Sequence, residues 1–189
     1  MMIFDSDDFG CNHVISDMCQ SHDCRDVLDK LHLANPAFKA TLFAIPGEMT
    51  AELLNWCDAN KSWIELAFHG FYHTSNYECE KMTYEEFNDN MRKCVGYLDA
   101  GFVKGFKAPG WQISDAAFEW LYDSGWWVAD QAYNNDRRPK DLQTYIIGDN
   151  SVHTHTWNCV GNGVYELEEQ LLEQVKNETE FLFVSEAIL

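Results

Sequence analysis

The 189-residue sequence predicts an α/β fold of parallel βαβ units, because short apolar runs alternate with amphipathic stretches along the whole chain. Two further observations point the same way. The polar, chemistry-bearing residues cluster where apolar runs end, which is where ligands gather in such folds. No internal repeat, low-complexity tract or Pro/Gly/Ser linker interrupts the pattern, so residues 1–189 read as one domain. With 46% hydrophobic and 14% aromatic residues, the chain can fill a substantial core.

The elements follow in order. Residues 1–5 form an apolar strand running into Ser6-Asp7-Asp8-Phe9-Gly10. Residues 23–33 have helical spacing, with Val27, Leu28 and Leu31 on one face and Asn35-Pro36 as the stop. Residues 39–45 are the next strand, closed by Pro46-Gly47. A helix over 50–59 and a strand over 63–68 then deliver His69-Gly70. Thr83 starts a helix from Tyr84 to about Leu98, with Glu85 and Glu86 near its positive end. A short strand over 103–106 ends at Lys107-Ala108-Pro109-Gly110, and Ser114 or Asp115 caps a helix to Asp123 that Ser124-Gly125 stops. Strands are expected at 126–129, 144–147 and 151–157, a helix at 164–176, and a final strand over 180–188.

The formal net charge of −18 argues against nucleic acid, whose phosphates need clustered Lys and Arg. A neutral or cationic guest suits this surface better than a polyanion. No apolar run approaches the ~20 residues of a membrane span, and no basic-plus-apolar leader precedes Met1. The seven cysteines (Cys11, Cys19, Cys24, Cys57, Cys79, Cys94, Cys159) are odd in number and contain no Cys-x-x-Cys pair, which fits reduced thiols better than a disulfide framework. These features predict a soluble, cytoplasmic protein that does not act on a membrane.

Four constellations carry candidate chemistry. Acidic residues at the end of the first strand, Asp5, Asp7 and Asp8, repel one another unless a cation or hydrogen-bond donors compensate. His69 and His73, four residues apart at a strand exit, can converge on one ion. An Asp with two His leaves coordination positions open for water and substrate, as catalytic sites require. Residue chemistry alone does not say which of Asp7 and Asp8 is the ligand. In Val152-His153-Thr154-His155, strand alternation aims both imidazoles at one face, where either can serve as a general acid. Lys107 and Trp111 flank a Pro-Gly turn, the first suited to pair with a carboxylate and the second to line a pocket.

In this order the residues resemble the polysaccharide deacetylases of the NodB-homology and YdjC-type superfamily. The resemblance runs from Met1 to about Trp157: a strand-end Asp7-Asp8, then His69-x-x-x-His73, a Lys107-Ala108-Pro109 turn like the family's Arg-x-Pro, and a late-strand His. It implies a distorted (β/α) barrel with about seven parallel strands. It also implies that Asp8, His69 and His73 hold one divalent metal ion, with zinc the default and Ni, Co, Mn or Fe compatible. Asp7 would be the general base, steadied by Lys107, and His155 the general acid in preference to His153. Trp111, Tyr72, Trp157 and His153 would line the sugar site. Lys107 keeps the charge of the family Arg but lacks its bidentate fork.

The expected activity is metal-dependent removal of an N-acetyl group from a saccharide. Two alternatives stand beside it. One is a carbohydrate-binding module of the same fold with weakened turnover. The other is a non-haem Fe(II) oxygenase using the same two-His-one-carboxylate set, although those enzymes typically sit on all-β barrels.

Overall fold

The computed structural model describes residues 1–10, 24–75, 77–130, 138–146, 148, 150–156 and 165–188. Its framework is a parallel sheet whose central strands are buried along most of their length, as covering on both faces demands. Strand β1 is Met2–Phe9, β2 Ala40–Ala44, β3 Ile64–His69, β4 Phe102–Lys107, β5 Trp127–Asp130, β6 Thr144–Ile146 and β7 Ser151–Thr154. They lie in the order β6-β5-β4-β3-β2-β1-β7, every pair parallel, and the two-residue β8, Phe181–Leu182, adds beside β7 on β1. This is the expected distorted (β/α) barrel.

Helices α1 (Cys24–Ala34), α2 (Ala51–Ala59), α3 (Tyr84–Cys94), α4 (Gly96–Asp99), α5 (Asp115–Asp123) and α6 (Tyr165–Val175) connect the strands. Thr50 and Ser114 cap α2 and α5, and Thr83 with Glu86 forms a reciprocal capping box on α3. The helix expected to reach Leu98 divides at Val95-Gly96, where a β-branched residue and a glycine weaken helix propensity in succession.

Two apolar clusters separate the faces of the sheet. The larger lies between sheet and helices and contains Phe4, Leu28, Leu31, Phe38, Leu66, Phe68, Phe106 and Phe118. The smaller fills the barrel: Phe43, Ala67, Trp127, Ala129, Tyr145 and Val184, with Ile3, Val103 and Ile188 against them. Gly105 makes room for this inner layer, since a Cβ there would meet the Trp127 ring at 2.0 Å.

The expected final strand is corrected. After β8 the chain turns into helix α7, Val184–Ala187. Val184 N–H donates to Thr41 Oγ1 at 2.9 Å, Ser185 N–H to Glu65 Oε1 at 3.3 Å, and Phe183 N–H to Glu186 Oε2 at 2.9 Å. Side chains thus capture backbone donors that a strand ladder would have used. A short apolar run such as residues 181–184 carries no periodicity that separates strand from helix, which is why its residues read as a strand.

Among the described residues no ladder joins β6 to β7, the two ends of the sheet. Tyr145 spans that seam with its hydroxyl 2.8 Å from Ser151 Oγ and 3.3 Å from Asp5 Oδ2.

Candidate metal centre and its proton-transfer neighbours

The site forms where the strands end. The first strand does not stop at Asp5, as the sequence suggested, but continues through Asp8 to Phe9. Asp5 and Asp7 share the inward face by ordinary alternation. Asp8, which alternation would send outward, sits at φ +60° where the register with β2 shifts between Ser6 and Phe9. This left-handed residue turns the third carboxylate toward the same site as the other two. All three are buried, between 0% and 6% exposed.

From β3, His69 presents Nδ1 at 3.1 Å to the carbonyl oxygen of Lys107 on the neighbouring strand. That contact assigns the proton to Nδ1 and leaves Nε2 as a lone-pair donor, 3.0 Å from Asp8 Oδ1. His73 Nε2 lies 3.1 Å from the same oxygen. The predicted trio therefore converges: one ligand atom from each of Asp8, His69 and His73 lies within 4.8 Å of the others. Gly70, at φ +59°, permits the turn between the histidines, and its N–H donates to Lys107 O at 3.1 Å. A Cβ there would meet Glu78 Oε2 at 2.4 Å and Pro109 Cγ at 2.6 Å.

Lys107, 0% exposed, reaches between two carboxylates, with Nζ 2.6 Å from Asp7 Oδ1 and 3.1 Å from Asp5 Oδ1. It also stands over the rings of Phe43 and Trp111, at 4.6 and 4.8 Å from their centres. Burial alone would lower the pKa of this amine, but Asp5 and Asp7 hold it above the ordinary value. Burial likewise pushes Asp7 up, and Lys107, with smaller help from His69 and His153, brings it below the usual carboxylate range. Trp111 Nε1 donates to Asp7 Oδ2 at 3.3 Å, so the predicted pocket Trp also touches the predicted base.

The histidines of β7 both face this cluster, their rings 5.4 Å apart. His153 Nδ1 is 2.6 Å from Asp5 Oδ1, and its Nε2 is 3.8 Å from Asp7 Oδ2. His155, one residue past the strand, has Nε2 3.6 Å from Asp8 Oδ2. Its pKa is lowered, chiefly by burial. Tyr72 is 48% exposed beside His73, while Trp157 falls outside the described residues.

A second trio, Asp7, His153 and His155, also brings ligand atoms within 4.8 Å. Lys107 already neutralises its carboxylate, so a cation is better placed at Asp8. The charges agree: Asp5, Asp7 and Asp8 against Lys107 leave two negative charges, which one divalent ion balances. The donor set thus fits the expected metal.

Three residues with structural parts in the site received no role from the sequence. Asp5 accepts from Lys107 and His153 and lies beside the Tyr145 hydroxyl. Its position two residues before Asp7 was the available signal. Tyr145 lay in an anonymous strand. Glu78, half-buried after the second histidine, had no motif to mark it.

No protein-family model matches the chain, and no curated protein matches it in sequence. Solved structures do match. The chitin deacetylase of the fungal pathogen Colletotrichum lindemuthianum aligns at TM-score 0.63 and 12% identity, covering 98% of this chain and 86% of that one. A family 4 acetyl xylan esterase from Clostridium thermocellum, solved with a cobalt ion, aligns at TM-score 0.60 and 16% identity over 97% and 88%. A family 4 pseudoenzyme from Bacillus anthracis aligns at TM-score 0.60 and 14% identity over 100% and 65%. The chain has the fold of the NodB-like family 4 carbohydrate esterases and deacetylases.

Proposed function

We propose that residues 1–189 form a single catalytic domain that hydrolyses the N-acetyl group of a saccharide, using one divalent ion at Asp8, His69 and His73. The observation that carries this reading is one carboxylate oxygen, Asp8 Oδ1, lying 3.0 and 3.1 Å from two imidazole nitrogens beside a second carboxylate already paired with Lys107. A divalent ion there would supply Lewis acidity, lowering the pKa of bound water toward about 7 and polarising the acetyl carbonyl. Zinc is the default, and the same donors suit Ni, Co, Mn or Fe(II).

The protein's own groups divide the remaining work. Asp7, kept ionised by Lys107, accepts a proton from the attacking water. His153 returns a proton to the leaving nitrogen, so that acetate and a free sugar amine result. The sequence favoured His155 for that step. His153 is the better oriented of the two, because Asp5 holds its Nδ1 and leaves Nε2 facing Asp7. Burial lowers the pKa of His155 and so disfavours its charged, proton-donating form. His155, Trp111 and Tyr72 then border the sugar, with Trp157 assigned to the same role from sequence.

The binding-module reading rested on Lys107 in place of Arg. The 2.6 Å contact of Lys107 with Asp7 supports an intact base instead. The parallel α/β sheet gives the oxygenase reading no support. No helix among the described residues is long and apolar enough to cross a membrane. The free, buried thiols of Cys79 and Cys94 favour a cytoplasmic setting.

The test is metal analysis of the purified protein coupled to acetate release from a panel of N-acetylated saccharides. Stoichiometric metal with metal-dependent acetate release is expected. Saccharide binding without acetate release would leave only the binding-module reading, and full activity in a metal-free preparation would overturn the mechanism.

A further inference from the structure

Glu78 lies outside the metal trio, yet the loop that carries His73 turns around its carboxylate. Glu78 Oε2 accepts from Phe71 N–H at 2.9 Å and from His73 N–H at 3.3 Å, and Oε1 accepts from Tyr72 N–H at 3.0 Å. Three successive N–H groups aimed at one anion make a nest of the kind that left-handed residues allow. Here the left-handed residues are Gly70 at φ +59° and His73 at φ +48°. For a histidine that conformation costs on the order of 1 kcal/mol or more, so something outside the residue has to hold it.

The two ends of the loop differ in how they are held. At its start, Phe71 is fully buried against Phe87 and Phe106, with ring centres 5.3 and 5.7 Å away. At its tip, His73 has its backbone N–H on Glu78. The carboxylate itself is offered from a braced segment. Neighbouring Cys79 is 0% exposed, and its carbonyl accepts from Ser114 N–H, the cap of α5, at 3.0 Å. The absence of room for a Cβ at Gly70 records how closely the loop wraps this carboxylate.

We propose that Glu78 is a positioning residue for the metal centre, fixing the left-handed backbone that brings His73 Nε2 to the same point as His69 and Asp8. The proposal rests on the metal reading above. In its absence His73 relaxes to an ordinary backbone conformation and its imidazole leaves the shared oxygen of Asp8, while His69, anchored on β3, stays.

The experiment titrates Co2+ into the metal-stripped full chain, reading the dissociation constant by competition with a chromophoric chelator and the geometry from the Co2+ absorption spectrum. Glu78→Ala is expected to weaken Co2+ binding about 10- to 100-fold and to alter the spectrum. Glu78→Gln should lose less, because its amide oxygen still accepts from Phe71 and His73 while its NH2 group faces the Tyr72 N–H. In a His73→Ala background, replacing Glu78 should cost nothing further, an outcome that a general loss of folding would not produce. Wild-type affinity and spectrum in both Glu78 variants, or losses that add to that of His73→Ala, would overturn the proposal alone. A wild-type chain that binds no Co2+ would overturn it together with the metal centre. If Glu78→Ala does not fold, Glu78→Gln in both backgrounds decides the same question.

Discussion

His69 and Glu65 occupy the same face of the same strand, four residues apart, and the two ends of the barrel treat their buried polar groups in opposite ways. At the carboxyl end of the strands, three buried carboxylates meet one buried ammonium and four histidines. At the other end Glu65 meets, among the described residues, hydroxyl and backbone donors: Thr41 Oγ1 at 2.8 Å, Ser185 N–H at 3.3 Å and the Ser185 hydroxyl. Burial dominates there and pushes Glu65 above the usual carboxylate range. A buried acid without a cation is made tolerable by protonation. A cluster with a cation keeps its charge, as the proposed metal and proton-transfer site needs. The end closed by α7 suits stability, and the loop end carries the groups of the proposed site.

That contrast can be broken by mutation. The largest effect belongs to the metal ligands: His69→Ala should reduce both bound metal and acetate release to background, measured by elemental analysis and an acetate assay. Next come the proton-transfer groups. Asp7→Asn and His153→Asn should each lower kcat by about 10²- to 10⁴-fold with metal retained, and His155→Asn should cost less. Equal losses at His153 and His155, or a greater one at His155, would reverse the acid assignment.

Lys107→Met strips the charged end of its internal cation. Two buried carboxylates then lack their partner, and stability at pH 7 should fall by about 3–5 kcal/mol in urea denaturation. Asp7 has a lowered pKa in the folded wild type, so its pairing energy is present above the unfolded pKa and disappears as pH falls through the folded one. The gap between wild type and variant should therefore narrow on acidification.

The smallest effect tests the other end. Glu65→Gln can keep every contact: its carbonyl still accepts from Thr41 and Ser185 N–H, and its NH2 donates to a turned Ser185 hydroxyl. The raised pKa of Glu65 means its stabilising protonated form prevails below the unfolded pKa and is lost as pH rises through the folded pKa. The variant should lie within about 1 kcal/mol of wild type at low pH and gain on it as pH rises from the unfolded to the folded pKa of Glu65, with unchanged acetate release.

The chemistry-bearing residues were legible in the sequence because few residue types can do this work and the chain order placed them at strand ends. Asp8, His69, His73, Lys107, Trp111 and His153 come together as the sequence implied. What the sequence did not disclose depends on backbone conformation or on distant partners. Nothing in Asp7-Asp8 says that a left-handed Asp8 lets neighbouring carboxylates share a site. Nothing in Tyr77-Glu78-Cys79 says that three N–H groups converge on Glu78. The strands were readable as apolar runs, whereas α7 was not, since Phe181-Leu182-Phe183-Val184 is equally apolar in either conformation. Its turn into a helix is decided by Thr41 and Glu65, more than a hundred residues earlier.

The seam between β6 and β7 has a mechanical consequence. Tyr145 links the two edges through Ser151 and also reaches Asp5, the carboxylate that holds His153 Nδ1. The contact that ties β6 to β7 and the contact that orients His153 therefore meet on one carboxylate. A displacement of β6 relative to β7 would thus reach His153 through Tyr145 and Asp5.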